Sequence, residues 1–97
     1  MPENADSFTD NSALSRYELM VDGAVAFIEH AREGDAVAFM HTEVPESMAG
    51  KGIGSRLVKS ALDNARLHGF KVVPRCPFVR EYVARHPEYQ DIVLPVE

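Results

Sequence analysis

Ala49-Gly50-Lys51-Gly52-Ile53-Gly54-Ser55-Arg56-Leu57 decides how this chain is read, because three glycines at alternate positions stand where one hydrophobic pattern gives way to another. Before it runs Ala36-Val37-Ala38-Phe39-Met40-His41-Thr42-Glu43-Val44, long enough for a central strand and closed by Pro45. After it the apolar period becomes helical: Leu57, Val58, Ala61, Leu62 and Ala65 recur on one face, with Arg56, Lys59, Asp63 and Arg66 on the other. A strand, a glycine-rich loop and a helix in that order aim free backbone N–H groups and the positive helix end at one spot. The absent glycine side chains let an anion approach those amides. Lys51 adds a charge at the rim, and Ser55 is placed to cap the helix. The alternative is a tight strand-to-helix connection that binds nothing. Other phosphate loops fit worse. A Walker A loop needs Gly-Lys-Ser/Thr where this chain has Gly50-Lys51-Gly52, and a dinucleotide fingerprint needs wider glycine spacing after a first parallel strand.

Gly69 is placed to end the helix, and Phe70 to Cys76 then reads as a strand parallel to the 36–44 strand. Pro77 opens a second helix running to His86 and stopped by Pro87; residues 91–94 offer a last strand. Toward the N-terminus, segments 16–19 and 24–29 flank Val21-Asp22-Gly23, where Asp-Gly suits the tight turn of a β-hairpin. Glu33-Gly34-Asp35 marks the next turn, giving an antiparallel meander of three strands. Residues 1–13 carry few apolar positions, so they are expected to form a flexible tail before one domain spanning 14–97. The fold class is α/β (α+β) with a mixed sheet.

At 97 residues the chain suits one core, too small for separate cofactor and substrate domains. Its 45% apolar and 26% charged composition is that of an ordinary globular protein. A net charge of -5 argues against nucleic-acid binding, which needs a surplus of Lys and Arg on one face. The single cysteine, Cys76, excludes an internal disulfide framework and fits a reducing compartment. No run of about 18 apolar residues suggests a membrane span. The expected address is the cytoplasm, and the expected state a monomer or weak homodimer.

The glycine stretch resembles the acetyl-CoA signature of the GNAT N-acetyltransferase superfamily, Arg/Gln-x-x-Gly-x-Gly/Ala. Gly52 and Gly54 take the two small positions, and Ala49 stands where Arg or Gln is usual. The chain from about Arg16 to Val93 is similar to small, minimal members of that superfamily. The resemblance is carried by Asp22-Gly23, His41 to Pro45, Gly50 to Ser55, Val72 to Pro77 and Arg85 to Tyr89. It implies strands that splay apart at their ends to admit the pantetheine arm of acetyl-CoA. On that likeness Gly50, Lys51, Gly52, Ile53, Gly54 and Ser55 hold the pyrophosphate, and the backbone near Thr42, Glu43 and Val44 meets the arm and polarises the thioester carbonyl.

Transfer from a thioester to an amine needs a neutral amine, an oxyanion donor and a proton for the departing thiolate. His41 shares a strand face with Glu43 and titrates near neutrality, which suits a base; equally it is a hydrogen-bonded residue at a strand end. Cys76, just before a Pro-initiated helix, is placed to protonate the leaving thiolate or accept the acetyl group, or else to be a buried small hydrophobe. His30, His68 and His86 read as surface or capping residues with no metal-ligand spacing. Tyr82 and Tyr89 read as core residues or as cofactor contacts from the last helix, and Arg75, Arg80 and Arg85 as solvated charge or phosphate contacts. The expected activity is acetyl transfer to an amine of a small molecule, protein or peptide, the alternative being a non-catalytic CoA-binding or interaction module.

Overall fold

The computed structural model describes residues 7–95. Five strands form one sheet in the order β1 (Ser7–Asn11), β2 (Arg16–Val21), β3 (Ala24–Glu33), β4 (Ala36–Glu43), β5 (Lys71–Pro74). The first four pair antiparallel, and β5 runs parallel to β4. Helix α1 (Ile53–Leu67) links β4 to β5, and α2 (Pro77–Arg85) follows. The α/β mixed sheet expected from the pattern is therefore present. Among the described residues no helix is long and apolar enough to cross a membrane.

Turn chemistry closes the hairpins. Asp22 and Gly23 take φ of 51° and 82°, so Val21 and Ala24 face each other across a two-residue turn. The β3 strand runs four residues beyond the expected 24–29, because Glu33 pairs directly with Ala36 around Gly34-Asp35.

Residues 7–11 need a correction. Ser7–Asn11 is not a tail but an edge strand laid antiparallel on β2. Composition undercounted it, since one inward aromatic and one inward carboxylate suffice when a ladder supplies the remaining bonds. Phe8 stacks on Tyr17 with ring centroids 5.8 Å apart, and Asp10 accepts a 2.9 Å bond from His30. Residues 12–14 add a short 3-10 turn capped by the Asn11 side chain. Residues 1–6 of the expected tail lie outside the described residues.

Both helices pack on one face of the sheet. From α1, Leu57, Val58, Ala61, Leu62 and Ala65 are wholly buried, as the helical period requires. They meet Ile28, Val37, Phe39 and Val72 from the strands and Val79, Tyr82 and Val83 from α2. The opposite face carries a smaller cluster of Ala36, Ala38 and Val73 with Leu94. Helix α1 ends in a Schellman motif: Gly69 has φ of 77°, Phe70 N–H bonds Ala65 O and Gly69 N–H bonds Arg66 O. Residues 91–94 do not form a full strand; a single parallel bridge joins Val93 to Val72 on the free edge of β5.

The parallel ladder is short. It runs from Ala36/Lys71 to Phe39/Pro74, and a last bond follows from Cys76 N–H to Phe39 O at 2.9 Å. There β4 bulges: Phe39 faces His30 and His41 faces Glu29, so Met40 is the extra residue. Beyond this point β4 continues to Glu43 without a parallel partner, while the chain after β5 turns into α2.

The C-terminal segment is pinned to α1 by Tyr89, which donates a 2.7 Å hydrogen bond to Asp63, and by Arg66, which bonds Asp91 and the Glu88 carbonyl. Partial burial tends to raise the Asp63 carboxyl, but hydrogen bonds from Tyr89 and Lys59 outweigh it and hold the group below its ordinary value. A depressed carboxyl stabilises the fold above its unfolded pKa of about 4 and loses that contribution as pH falls through the folded value. Urea midpoints of the parent chain should therefore fall between about pH 5 and pH 2 more steeply than those of Asp63→Asn. Parallel acid limbs in the two proteins would remove Asp63 from the account.

Candidate functional site

Helix α1 begins at Ile53, with Gly52 as its N-cap and Arg56 N–H making the first helical bond to Gly52 O at 3.1 Å. The amides of Gly52, Ile53, Gly54 and Ser55 thus have no helical acceptor and carry the positive end of the helix dipole. Ser55 does not cap the helix as its position suggested. It already lies in the first turn, and Gly52, which has no side chain, occupies the cap.

The glycines serve different ends. Gly52 has φ of 71°, left-handed backbone that disfavours any Cβ, yet the space around it is open. Gly54 has ordinary helical φ but no room: a Cβ there would stand 2.8 Å from Phe78 Cζ and 3.4 Å from Val44 Cγ2. Loop and α2 therefore meet at Gly54, and the space beside them is a groove of about 310 Å³ lined by Val44, Met48, Gly52, Ile53, Ser55 and Phe78. Phe78 was missed in the sequence. Its signal was an apolar residue off the buried stripe of Val79, Tyr82 and Val83, and it stands 42% exposed over the loop.

Of the expected loop residues, Gly50, Gly52, Ile53, Gly54 and Ser55 line the groove together with Val44. Lys51 does not. It lines a separate hollow of about 210 Å³ with Asp22 and Ser47, beside the β2–β3 turn.

The acid–base candidates divide between the two faces of β4. Thr42 lies opposite Ile28 on the core face, and Cys76 Sγ bonds its hydroxyl at 3.3 Å. His41 and Glu43 lie opposite Glu29 and Phe27 on the other face, joined by a 3.0 Å hydrogen bond and 56% and 61% exposed at their side chains. Cys76 is only 5% exposed at the head of α2, just beyond the last parallel bond. Burial pushes its thiol pKa up, but hydrogen bonds from the Thr42 side chain and the backbone of Val79, Phe78 and Thr42 outweigh that, so the thiol sits below its ordinary value.

The other sequence candidates have structural employment. Tyr82 and Tyr89 are buried in the core. His68 Nδ1 bonds Asn64 O and His86 Nδ1 bonds Tyr82 O, each across the last turn of its helix. Arg75 pairs with Glu33, Arg80 donates to the Arg75 carbonyl, and Arg85 lies 3.7 Å from Glu81.

The sequence profile of the GCN5-related N-acetyl-transferase family matches residues 16–92, which includes β2 through the C-terminal segment and the whole glycine loop. Protein NATD1 of Xenopus tropicalis is 33% identical over 66 residues, 68% of this chain and 60% of its own length. The human protein of that name is 35% identical over 66 residues, covering 58% of its length. The chain thus spans about three-fifths of these relatives. The fold also matches the solution structure of a candidate GCN5-like N-acetyltransferase from Staphylococcus aureus. The TM-score is 0.72 at 23% identity, covering 94% of this chain and 90% of that one. With the profile matched from β2 to the residue before Val93, the chain belongs to the GCN5-related N-acetyl-transferase family.

Proposed function

We propose that this chain binds acetyl-CoA and transfers its acetyl group to an amine. The observation that carries the reading is the set of amides from Gly52 to Ser55 that have no helical acceptor, on residues that line the groove at the head of α1. A pyrophosphate is the group such a cradle fits: the amides supply donors, the helix end supplies positive charge, and Gly52 and Gly54 keep side chains out of the way. When bound, acetyl-CoA supplies an acyl thioester. Val44 and the backbone of Thr42 and Glu43, beyond the last parallel rung, supply groups to orient an extended arm.

Two residues can then handle protons. Thr42 and the nearby amides stabilise a thiolate at Cys76, making that residue a ready donor or acceptor of one proton. His41, oriented by Glu43 on the open face, is placed to take a proton from an approaching ammonium group. An amine arriving from the open face and an acyl donor entering between β4 and β5 keep the two proton transfers apart.

The second reading is a CoA-binding module without turnover. Ala49 in place of Arg or Gln, and a Cys76 almost wholly buried, favour it. The two readings separate on incubation with acetyl-CoA and a panel of amines while free thiol is followed. Turnover that His41→Ala abolishes supports transfer; a thermal shift without turnover supports the module.

CoA should raise the melting temperature with the logarithm of its concentration. Gly52→Val should abolish most of that shift, through left-handed strain at the cradle, whereas Lys51→Ala, facing the other hollow, should change it little. A larger loss from the lysine than from the glycine would overturn a backbone-dominated site.

The rate of Cys76 alkylation by iodoacetamide should rise with pH around a midpoint below the thiol's ordinary value, and acetyl-CoA should slow it. Cys76→Ser should keep the CoA thermal shift and lose about 100-fold or more in transfer, the usual weight of a general acid. Full transfer by that variant would leave the proton chemistry to His41.

A further inference from the structure

A second cavity, of about 190 Å³, lies at the far end of α1 from the glycine loop, between the last turn of that helix and the inner face of β1 to β4. Tyr17 forms its floor, Asp10 and Arg32 line it from the strands, and Asn64, His68 and Phe70 line it from the helix end.

Two features of the cavity bear on what it could hold. Tyr17 is 3% exposed, and its hydroxyl makes no hydrogen bond among the described residues. Burial, with Asp10 adding to it and Arg32 opposing, pushes the phenol up to about 12, so it is a neutral donor at any ordinary pH. A buried hydroxyl left unbonded costs about 1–3 kcal/mol, and native chains seldom leave one without a reason. The second feature is Arg32. The residue is exposed at the rim, its guanidinium lies 4.0 Å over the Phe70 ring, and among the described residues it pairs with no carboxylate, so its donors face outward for a ligand.

Opposite charge lines the same cavity. Asp10 Oδ1 accepts from His30 at 2.9 Å, leaving its second oxygen for another donor, and the carboxylate is 43% exposed at the mouth. A guanidinium and a neutral hydroxyl suit a carboxylate, bidentate to the arginine; a carboxylate with a spare oxygen suits an ammonium. The volume is below the roughly 300 Å³ at which pockets begin to take drug-sized ligands, which excludes a nucleotide.

We propose that this cavity is a binding site for a small α-amino acid, its carboxylate held by Arg32 and the Tyr17 hydroxyl and its ammonium group by Asp10. The site shares no lining residue with the glycine-loop groove, so it is independent of acetyl-CoA binding. A ligand there would fasten β1 and β3 to the end of α1.

The test is an amide-resonance titration of the full chain with L-alanine and L-serine, up to about 20 mM, well past a millimolar Kd. Propionate and ethylamine, which carry one charge each, serve as half-ligands. Expected are shifts at Tyr17, His30, Asn64 and His68 without shifts at Gly50 to Ser55, and at least about tenfold weaker binding of either half-ligand. Arg32→Gln should weaken the amino acid by a similar factor. Tyr17→Phe should weaken it too, while leaving the melting temperature of the free protein unchanged or raised, because it removes a hydroxyl that has no bond to lose. Absence of shifts with both amino acids, undiminished binding by Arg32→Gln, or a melting temperature lowered by Tyr17→Phe would each overturn the assignment.

Discussion

The hydrogen bond from Cys76 N–H to Phe39 O fixes the end of the parallel ladder, and the geometry of the glycine-loop site follows from that end. Phe39 is wholly buried and is the largest such side chain in the core, so it anchors the rung against both helices. Just past it Met40 is inserted into β4, which bends the strand and breaks its alternation. Just past Pro74 the partner chain leaves the sheet for α2. Two strands that diverge at one rung leave backbone groups on β4 that no neighbour in the sheet takes up. A proline at the end of β5 is compatible with this, since it has no N–H to offer where the ladder stops.

The same rung explains why the candidate residues split as they do. With a regular strand, Phe39 on the core face would send His41 and Glu43 to that face too, because side chains alternate with period two. The extra residue reverses the phase: Thr42 returns to the core face beside Cys76, and His41 and Glu43 turn outward. One inserted residue therefore decides which pair is buried and which meets solvent.

Much of this was legible in the sequence where local chemistry and hydrophobic period agreed. The α1 stripe from Leu57 to Ala65, the Asp22-Gly23 turn, the Gly69 helix end and the proline-led α2 were each specified by residues a few positions apart, and His41 and Glu43 do share a face. What escaped depended on residues distant in sequence. The pairing of Ser7–Asn11 rests on β2, and the Met40 bulge is defined only against Glu29 and His30. Phe78 against Gly54 is a contact between two helices, and the direction of Lys51 depends on the β2–β3 turn beside it. Ser55 was misread by one turn, because a glycine in left-handed conformation can close the helix start without any capping side chain.

Cys76 shows how burial and polarity can oppose each other within one residue. Withdrawal from water alone would make its thiol a weak acid, a small hydrophobe in the core. The head of α2 reverses that, since backbone N–H groups that the helix cannot use converge on the sulfur, and Thr42 adds a hydroxyl from across the divergence. The sulfur is thus withdrawn from bulk water and yet titrates below its ordinary value. Phe78, the next residue but one, stands over Gly54 at the groove. The residue that shapes the groove and the residue that carries the thiol thus share the first turn of one short helix, and any movement of α2 alters both together.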